Sequence, residues 1–157
     1  MCIRDRKNGA TVYVDYAHTP DAIEVALKSI KPHILGKLIV VIGAGGERDA
    51  GKRPLMGMAA EQNADFVIIT DDSPRNEDPS VIHQMIKNGI QNDNKVKVIA
   101  DRAEAILTAV DLLEVGDGLL IAGKGHETEQ VIGENNFPFD DFEQASLSVA
   151  SLDGIEQ

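Results

Sequence analysis

Residues 38–70 read LIVVIGAGGERDAGKRPLMGMAAEQNADFVIIT, and this stretch decides the fold class. It opens with the apolar run Leu38–Gly43, which is typical of a strand buried on both faces. A glycine-rich loop follows, then a segment of helical period over Pro54–Asn63, then a second apolar run, Asp65–Thr70. A strand, a helix and a strand in this order predict a parallel β–α–β unit.

The same alternation continues on both sides of this unit. Further strands are predicted at Thr11–Asp15, Val96–Ala100 and Leu119–Ala122. Further helices are predicted from about Pro20, over Pro79–Ile90 and Ala103–Leu113, and from Asp140 to about Leu152. Thr19 can cap the first of these helices and Pro20 suits its first position. A small hairpin is predicted from Gln130–Ile132 and Asn136–Phe139. The pattern predicts an α/β fold with a mostly parallel Rossmann-like sheet flanked by helices and a small C-terminal hairpin.

Composition narrows the class of protein. A chain of 157 residues fits one domain, and its net charge of -11 argues against non-specific binding to nucleic acid or membranes. No apolar run approaches the roughly 20 residues that a membrane helix needs. The single cysteine, Cys2, excludes an internal disulfide and fits a reducing compartment. We therefore expect a cytoplasmic protein.

Polar loops follow four of the predicted strands. Ligands of parallel α/β folds bind beyond the carboxyl ends of the strands. The loops at those ends are Asp15–His18, Gly43–Arg53, Asp71–Asp78 and Gly123–Glu127. An anion could be received there despite the acidic chain, because the loops carry Arg48, Lys52, Arg53, Arg75 and Lys124.

The glycine-rich loop after Gly43 resembles two phosphate-binding motifs and satisfies neither. Arg48 stands where a dinucleotide fingerprint needs its third glycine. Gly46, Gly51 and Lys52 match the start of a P-loop, but Arg53 replaces the serine or threonine that holds Mg²⁺. The remaining interpretations are a glycine-rich turn with solvated charges, or a flexible loop whose Arg48 clamps a carboxylate.

The other three loops each allow a structural and a functional interpretation. Asp71–Pro79 suits a solvated turn with a helix cap, or recognition of a zwitterion with Arg75 on a carboxylate and Asp72 on an ammonium. Gly123–Glu127 suits a tight turn, or a site where Glu127 accepts an ammonium while Lys124 and His126 meet phosphate or carboxylate. Asp15–Pro20 leads to a helix N-terminus that attracts anions, although a lone His18 is more often a cap or a surface residue. No spacing is typical of a zinc site, so no metal ligand is predicted in this chain.

Taken together, the four loops resemble a known family. The segments DYAHTPD (15–21), GAGGERDAGKRPLMG (43–57), TDDSPRNEDP (70–79) and AGKGHE (122–127) are similar, in this order, to the C-terminal domain of Mur ligases of the MurE type. The resemblance spans about Gly9 to Leu147. It implies a three-domain ligase of peptidoglycan synthesis that activates a precursor carboxylate with ATP as an acyl phosphate, which the amino group of a diamino acid attacks. The implied substrates are ATP, a UDP-N-acetylmuramoyl dipeptide and meso-diaminopimelate. ATP and Mg²⁺ would be bound mainly by a central domain in the rest of the ligase chain.

The resemblance also implies roles for individual residues. Arg48 would hold a carboxylate of the diamino acid, and Arg75 its distal carboxylate. The distal ammonium would be held by Glu127 and by the backbone of Gly123. Asp72, Ser73, Pro74 and Arg75 fall on the family's Asp-Asn-Pro-Arg motif, with Ser73 in place of asparagine. Asp15 and His18 match residues on the nucleotide side, and Lys124 and His126 are accessory candidates.

The first residues depart from the family's pattern. A basic segment that touches nucleotide should precede the first strand, and Met1–Arg6 does not resemble it. We expect residues 1–8 to be a truncated or non-native leader, residues 9–152 to form the ligase C-terminal domain, and residues 153–157 to be a tail. The N-terminal and central domains of the ligase would then be missing, and the fragment would be inactive alone.

Three other functions remain to be compared with this one. A lysine-adding or glutamate-adding member of the family would differ at the position of Arg75, since lysine has no distal carboxylate. An acidic module that binds an amino acid or a nucleotide without catalysis belongs to a different class. A dinucleotide-dependent dehydrogenase is disfavoured, because Asp15–Thr19 is not a glycine-rich phosphate turn.

Overall fold

The computed structural model describes residues 1–6 and 8–154. Most of the predicted tail, residues 155–157, therefore lies outside the described part of the chain. The strands are β1 Cys2–Asp5, β2 Thr11–Asp15, β3 Leu38–Ile42, β4 Phe66–Ile69, β5 Val96–Val98, β6 Gly118–Ala122, β7 Glu129–Ile132 and β8 Asn135–Pro138. The helices are α1 Pro20–Ile30, α2 Arg53–Asn63, α3 Pro79–Lys87, α4 Arg102–Asp111 and α5 Asp141–Asp153.

The main sheet has the strand order β1-β2-β6-β3-β4-β5. Every pairing from β2 to β5 is parallel, and only the edge strand β1 is antiparallel. A second, antiparallel sheet consists of β7 and β8. The α/β fold with a mostly parallel sheet and a C-terminal hairpin is therefore confirmed.

Two apolar layers cover the sheet, because successive side chains of a strand point to opposite faces. Val40 and Ile42 of β3 pack in one layer with buried residues of α1, α2 and α3. Ile39 and Val41 of the same strand pack in the other layer with α4 and α5. β3 and β6 are buried along their whole length, as their unbroken apolar sequences require.

Helix starts agree with the predicted caps. The Thr19 side chain accepts a hydrogen bond from the Ala22 amide, with Pro20 at the first position of α1. Asp78 and Asp140 cap α3 and α5 in the same way. The largest difference is at the end of α3, which stops at Lys87 rather than continuing to Ile90.

The first residues form an edge strand that the sequence did not predict. Cys2–Asp5 forms β1, which pairs with β2 so that Ile3 lies opposite Tyr13. Arg6 pairs with Asp153 at 2.7 Å. An extended segment can pair with any exposed strand edge, because the pairing uses backbone groups, and β2 offers such an edge. Whether residues 1–8 are a non-native leader stays a prediction.

No helix within residues 1–6 and 8–154 has the length and apolarity needed to cross a membrane.

Candidate functional site

The strand order brings the four polar loops to one edge of the sheet. β2, β6, β3 and β4 are neighbours and run parallel, so their carboxyl ends meet. The Gly123 amide after β6 donates to the Asp15 carbonyl at the end of β2, at 3.2 Å. Beside β3, a Cβ on Gly43 would lie 2.6 Å from the Thr70 carbonyl oxygen, so glycine permits this close approach. The convergence that the parallel order predicts is present.

A cavity of about 620 Å³ lies between these loops. Most of the residues that the sequence singled out contribute to its wall, namely His18, Arg48, Asp72, Ser73, Arg75, Gly123 and Glu127. Other wall residues were missed by sequence reasoning, among them Tyr16, Asp49, Thr128, Glu129 and Val131. The only sequence signal for these was their position in or beside the same loops. The cavity therefore carries guanidinium groups and carboxylates together.

Arg75 is half-buried in the cavity wall with a free hydrogen-bonding edge. Its Nη1 donates to the carbonyls of Gly46 at 3.1 Å and Ser73 at 3.3 Å. Within the described residues, Nε and Nη2 have no hydrogen-bond partner. Arg48, on the neighbouring loop, is exposed and has only a 3.5 Å contact with the Glu47 carbonyl. Both guanidinium groups can therefore donate hydrogen bonds to a carboxylate of a ligand.

The C-terminal hairpin is joined to the loop that carries Arg75. The Arg75 amide donates to the Val131 carbonyl at 3.0 Å, and its own carbonyl accepts from Gly133 at 2.6 Å. The Ser73 hydroxyl oxygen accepts the Val131 amide at 3.0 Å. Gln130 adds a side-chain hydrogen bond to the Asp72 carbonyl at 2.6 Å. Ser73 thus holds the hairpin against the loop, a use of its side chain that the sequence did not indicate.

The acidic side of the cavity is formed by Glu127 and Asp72. The Glu127 side chain is exposed, while its amide donates to the Lys124 carbonyl at 2.9 Å. A Cβ added to Gly123, whose φ is +117°, would lie 2.8 Å from an Asp72 carboxylate oxygen. Glycine at this position therefore lets the two loops approach each other. Two carboxylates in this arrangement suit an ammonium group.

Four amides of the glycine-rich loop donate to oxygens of the protein itself. Gly46 donates to the Ser73 carbonyl at 2.8 Å and Glu47 to the Glu77 carboxylate at 3.0 Å. The amides of Gly51 and Lys52 both donate to Asp49. A P-loop needs such amides to surround phosphate oxygens. This geometry agrees with the sequence argument against a P-loop.

Two cations that the sequence placed in anion-receiving loops are occupied elsewhere. Arg53 begins α2 and borders the cavity, but it is buried and pairs with both carboxylate oxygens of Glu77, with Nη2 at 2.9 Å from Oε1. Lys124 is fully buried and its Nζ donates to the Glu129 carbonyl, so it does not reach the cavity. Charge alone could not reveal this, because Arg53 pairs with a residue 24 positions away and Lys124 pairs with a backbone carbonyl, which carries no charge.

Three further predicted site residues lie outside the cavity wall. The Asp15 carboxylate accepts the Ala17 amide at 3.2 Å. Pro74 is buried, and its carbonyl accepts the Glu77 amide at 3.1 Å. His126 is exposed, with its ring centre 6.4 Å from that of Tyr16. His18 does line the cavity; its Nδ1 lies 2.9 Å from the Tyr16 carbonyl oxygen.

A buried ion pair lies next to the carboxyl ends of the strands. Arg102 and Asp141 have fully buried side chains, with Nη2–Oδ2 at 2.6 Å and Nε–Oδ1 at 2.7 Å. Arg102 also donates to the carbonyls of Asp71 at 3.0 Å and Ala122 at 3.1 Å, each one residue before a cavity residue. Burial lowers the pKa of Arg102, but the carboxylates of Asp141, Asp72 and Asp71 together outweigh burial and raise it above its ordinary value.

Acidic and histidine residues do not gather into a metal centre. Among residues 1–6 and 8–154, no group of three or more histidine, cysteine, aspartate or glutamate side chains could hold a metal ion.

Known proteins resemble this chain along most of its length. The profile of the family described as "Mur ligase, glutamate ligase domain" matches residues 1–125. Two proteins named UDP-N-acetylmuramoyl-L-alanyl-D-glutamate--2,6-diaminopimelate ligase are each 52% identical to it. That from Bradyrhizobium diazoefficiens aligns over 92% of this chain and 29% of its own length. That from Coxiella burnetii aligns over 95% of this chain and 30% of its own length.

A solved structure gives the same picture. A structure described by the same ligase name is 41% identical and superposes with a TM-score of 0.93, covering 97% of this chain and 31% of that one. The chain thus spans about three tenths of the length of these relatives. With its family profile matched over residues 1–125, this chain belongs to the Mur ligase family and contains its glutamate ligase domain.

Proposed function

We propose that this chain is the C-terminal, amino-acid-binding domain of a cytoplasmic ATP-dependent ligase of peptidoglycan synthesis. The ligase adds meso-diaminopimelate to UDP-N-acetylmuramoyl-L-alanyl-D-glutamate. The printed name of relatives that are 52% identical to the chain supports this proposal. Because the chain spans about three tenths of those relatives, the N-terminal and central domains belong to the rest of the ligase chain.

The observation that carries the proposal is the charge pattern of one cavity. Arg48 and Arg75 offer guanidinium groups, and Asp72 and Glu127 offer carboxylates, on the wall of the same space of about 620 Å³. Diaminopimelate has an ammonium and a carboxylate at each end. A cavity that presents both charges on several loops can bind its distal end while its other amino group stays free to attack.

Arg75 accounts for the choice of diamino acid. Its Nη1 is held by the carbonyls of Gly46 and Ser73, which leaves Nε and Nη2 to pair with the distal carboxylate. L-lysine has no such carboxylate, so its binding would leave that edge unpaired. An unpaired buried donor costs about 1–3 kcal/mol, which corresponds to a preference of about 5- to 150-fold.

ATP and Mg²⁺ are bound mainly outside this chain in the proposed ligase. ATP supplies the activation of the precursor carboxylate. In the glycine-rich loop, the amides of Gly46, Glu47, Gly51 and Lys52 donate to protein oxygens, and Arg53 stands where a P-loop has its serine or threonine, so this loop is not assigned to the triphosphate or Mg²⁺. On the nucleotide side we assign Asp15 and His18, of which His18 lines the cavity beside the start of α1. The chain's own contribution is to position the amino acid.

A ligation assay with competing amino acids tests the proposal. The full-length ligase is incubated with the UDP-linked dipeptide, ATP and Mg²⁺, and with either meso-diaminopimelate or L-lysine, and products are identified by mass spectrometry. We expect kcat/KM for diaminopimelate to exceed that for lysine by at least about 5-fold. Equal or better use of lysine would contradict the assignment of substrate. Absence of any ligation by the complete enzyme would favour a non-catalytic binding module.

A further inference from the structure

We propose that Arg53 and Glu77 are a positioning pair that sets the spacing of Arg48 and Arg75. The inference rests on the proposed function, because it assumes that these two arginines bind the amino-acid substrate. Neither member of the pair is assigned to bind that substrate itself. They act by holding the loop Gly45–Arg48 against the loop Ser73–Glu77.

Arg53 makes the inner half of this connection. Its guanidinium is buried at the first residue of α2 and pairs with both oxygens of Glu77. Nη2 also donates to the Gly45 carbonyl at 3.1 Å. One side chain therefore links the helix, the loop of Arg48 and the loop of Arg75.

Glu77 makes the outer half. Besides Arg53, it accepts the Glu47 amide at 3.0 Å through Oε1. The hydrogen bonds from the side chain of Arg53 and from the backbone of Glu47 lower the pKa of Glu77 to about 2. The carboxylate is therefore charged throughout the neutral range, and the connection persists at the pH of any enzyme assay.

The two loops are also in direct backbone contact beside the site arginines. The Gly46 amide donates to the Ser73 carbonyl at 2.8 Å, and Arg75 Nη1 donates to the Gly46 carbonyl at 3.1 Å. A Cβ on Gly46 would lie 1.7 Å from the Pro74 carbonyl oxygen, so only glycine fits. Arg48 is two residues after Gly46 in one loop, and Arg75 directly follows Pro74 in the other.

Backbone conformation shows why a connection is needed. Glu47 has φ of +57° and Arg75 has φ of +54°, and these are the described non-glycine residues with positive φ. Residues other than glycine avoid positive φ, and such strain persists only where surrounding contacts impose it. Glu47 directly precedes Arg48, and its carboxylate accepts a hydrogen bond from Asn76, the residue after Arg75, at 3.2 Å. Without the Arg53–Glu77 pair, both loops can relax and move the guanidinium groups apart.

Steady-state kinetics of the full-length ligase carrying Glu77→Gln test this inference. Glutamine keeps the size of the side chain but cannot form the double ion pair with Arg53. We expect KM for the diamino acid to rise about 10- to 100-fold, as misplacement by about 1 Å can cause. KM for ATP and for the UDP-linked dipeptide should stay within about twofold. Arg53→Lys should behave similarly, since it keeps the charge and loses the fork, and it replaces Glu77→Gln if that variant does not fold.

The double variant Arg53→Met, Glu77→Met provides a second readout. If the pair acts as a unit, the double variant should raise KM for the diamino acid no more than Arg53→Met alone. Glu24→Gln is the matched control. Glu24 Oε1 pairs with Lys28 Nζ at 2.7 Å on the exposed face of α1, far from these loops in sequence. It should leave every KM unchanged.

The outcomes separate the inference from the proposed function. An unchanged KM for the diamino acid in folded Glu77→Gln overturns the inference. A rise of all three KM values together with a lower Tm also overturns it, because that result indicates a general structural role. Failure of the unsubstituted ligase to use diaminopimelate overturns the proposed function, and the pair is then tested with the amino acid that the enzyme does use.

Discussion

Replacing Arg75 by asparagine in the full-length ligase is expected to raise KM for meso-diaminopimelate by about 100-fold. Losing one partner of a desolvated charge pair costs about 2–5 kcal/mol, and about 2.7 kcal/mol corresponds to that factor. Asparagine is preferred to alanine, because Arg75 has φ of +54° and asparagine tolerates that conformation better. The measurement is the initial rate of ligation as a function of diaminopimelate concentration.

Lysine and a second variant provide the controls for this experiment. KM for L-lysine should not rise in Arg75→Asn, because lysine has no distal carboxylate to lose. Arg48→Asn should instead weaken use of both amino acids, since each has the carboxylate that Arg48 is proposed to hold. An unchanged KM for diaminopimelate in a folded Arg75→Asn enzyme would defeat the assignment of Arg75.

Replacing Asp141 by alanine is expected to lower the free energy of unfolding by about 3–5 kcal/mol. Arg102 is completely buried, and its Nε and Nη2 are both paired with Asp141. Removing the carboxylate leaves an uncompensated charge between the sheet and α5. The loss should appear in urea unfolding of the 157-residue chain followed by circular dichroism.

Two comparisons show whether the charge, and not the position, causes this loss. Glu24→Ala removes a carboxylate from the exposed pair with Lys28 and should change stability by less than about 0.5 kcal/mol. The double variant Arg102→Met, Asp141→Leu should recover much of the loss, because apolar side chains avoid the buried charge. If the free energy of unfolding of Asp141→Ala is within about 1 kcal/mol of that of the unsubstituted chain, the proposed energetic role of the pair is wrong.

The sheet could be predicted because its signal is local. Unbroken apolar sequences such as LIVVI and GLLIA are typical of strands buried on both faces, and the structure places β3 and β6 at those positions. Once the strands are parallel, their following loops must meet at one edge. The convergence of Arg48, Arg75 and Glu127 on one cavity follows from that topology.

Partners distant in sequence could not be predicted. Arg53 and Glu77 are 24 residues apart, and Arg102 and Asp141 are 39 apart. Arg53 was expected in an anion-receiving loop, and no ion pair was predicted for any of the four residues, because a charge pattern does not identify a partner across the fold. Lys124 was expected at the site although it is buried, because its partner is the backbone carbonyl of Glu129, which a charge pattern does not reveal.

The hairpin illustrates a further limit. Its strands were predicted at Gln130–Ile132 and Asn136–Phe139, each within one residue of the observed β7 and β8. Its attachment to the loop of Arg75 depends on the Ser73 hydroxyl and on backbone groups of Val131, which have no sequence signature. Thr128, Glu129 and Val131 therefore reached the cavity wall without being predicted.

A crystal structure of the full-length ligase with bound meso-diaminopimelate tests the central claim most directly. The account predicts a single diaminopimelate molecule whose distal carboxylate lies within hydrogen-bond distance of the Arg75 guanidinium and whose distal ammonium contacts Glu127. Diaminopimelate bound elsewhere in the enzyme, or bound in this cavity without touching either Arg75 or Glu127, would contradict it.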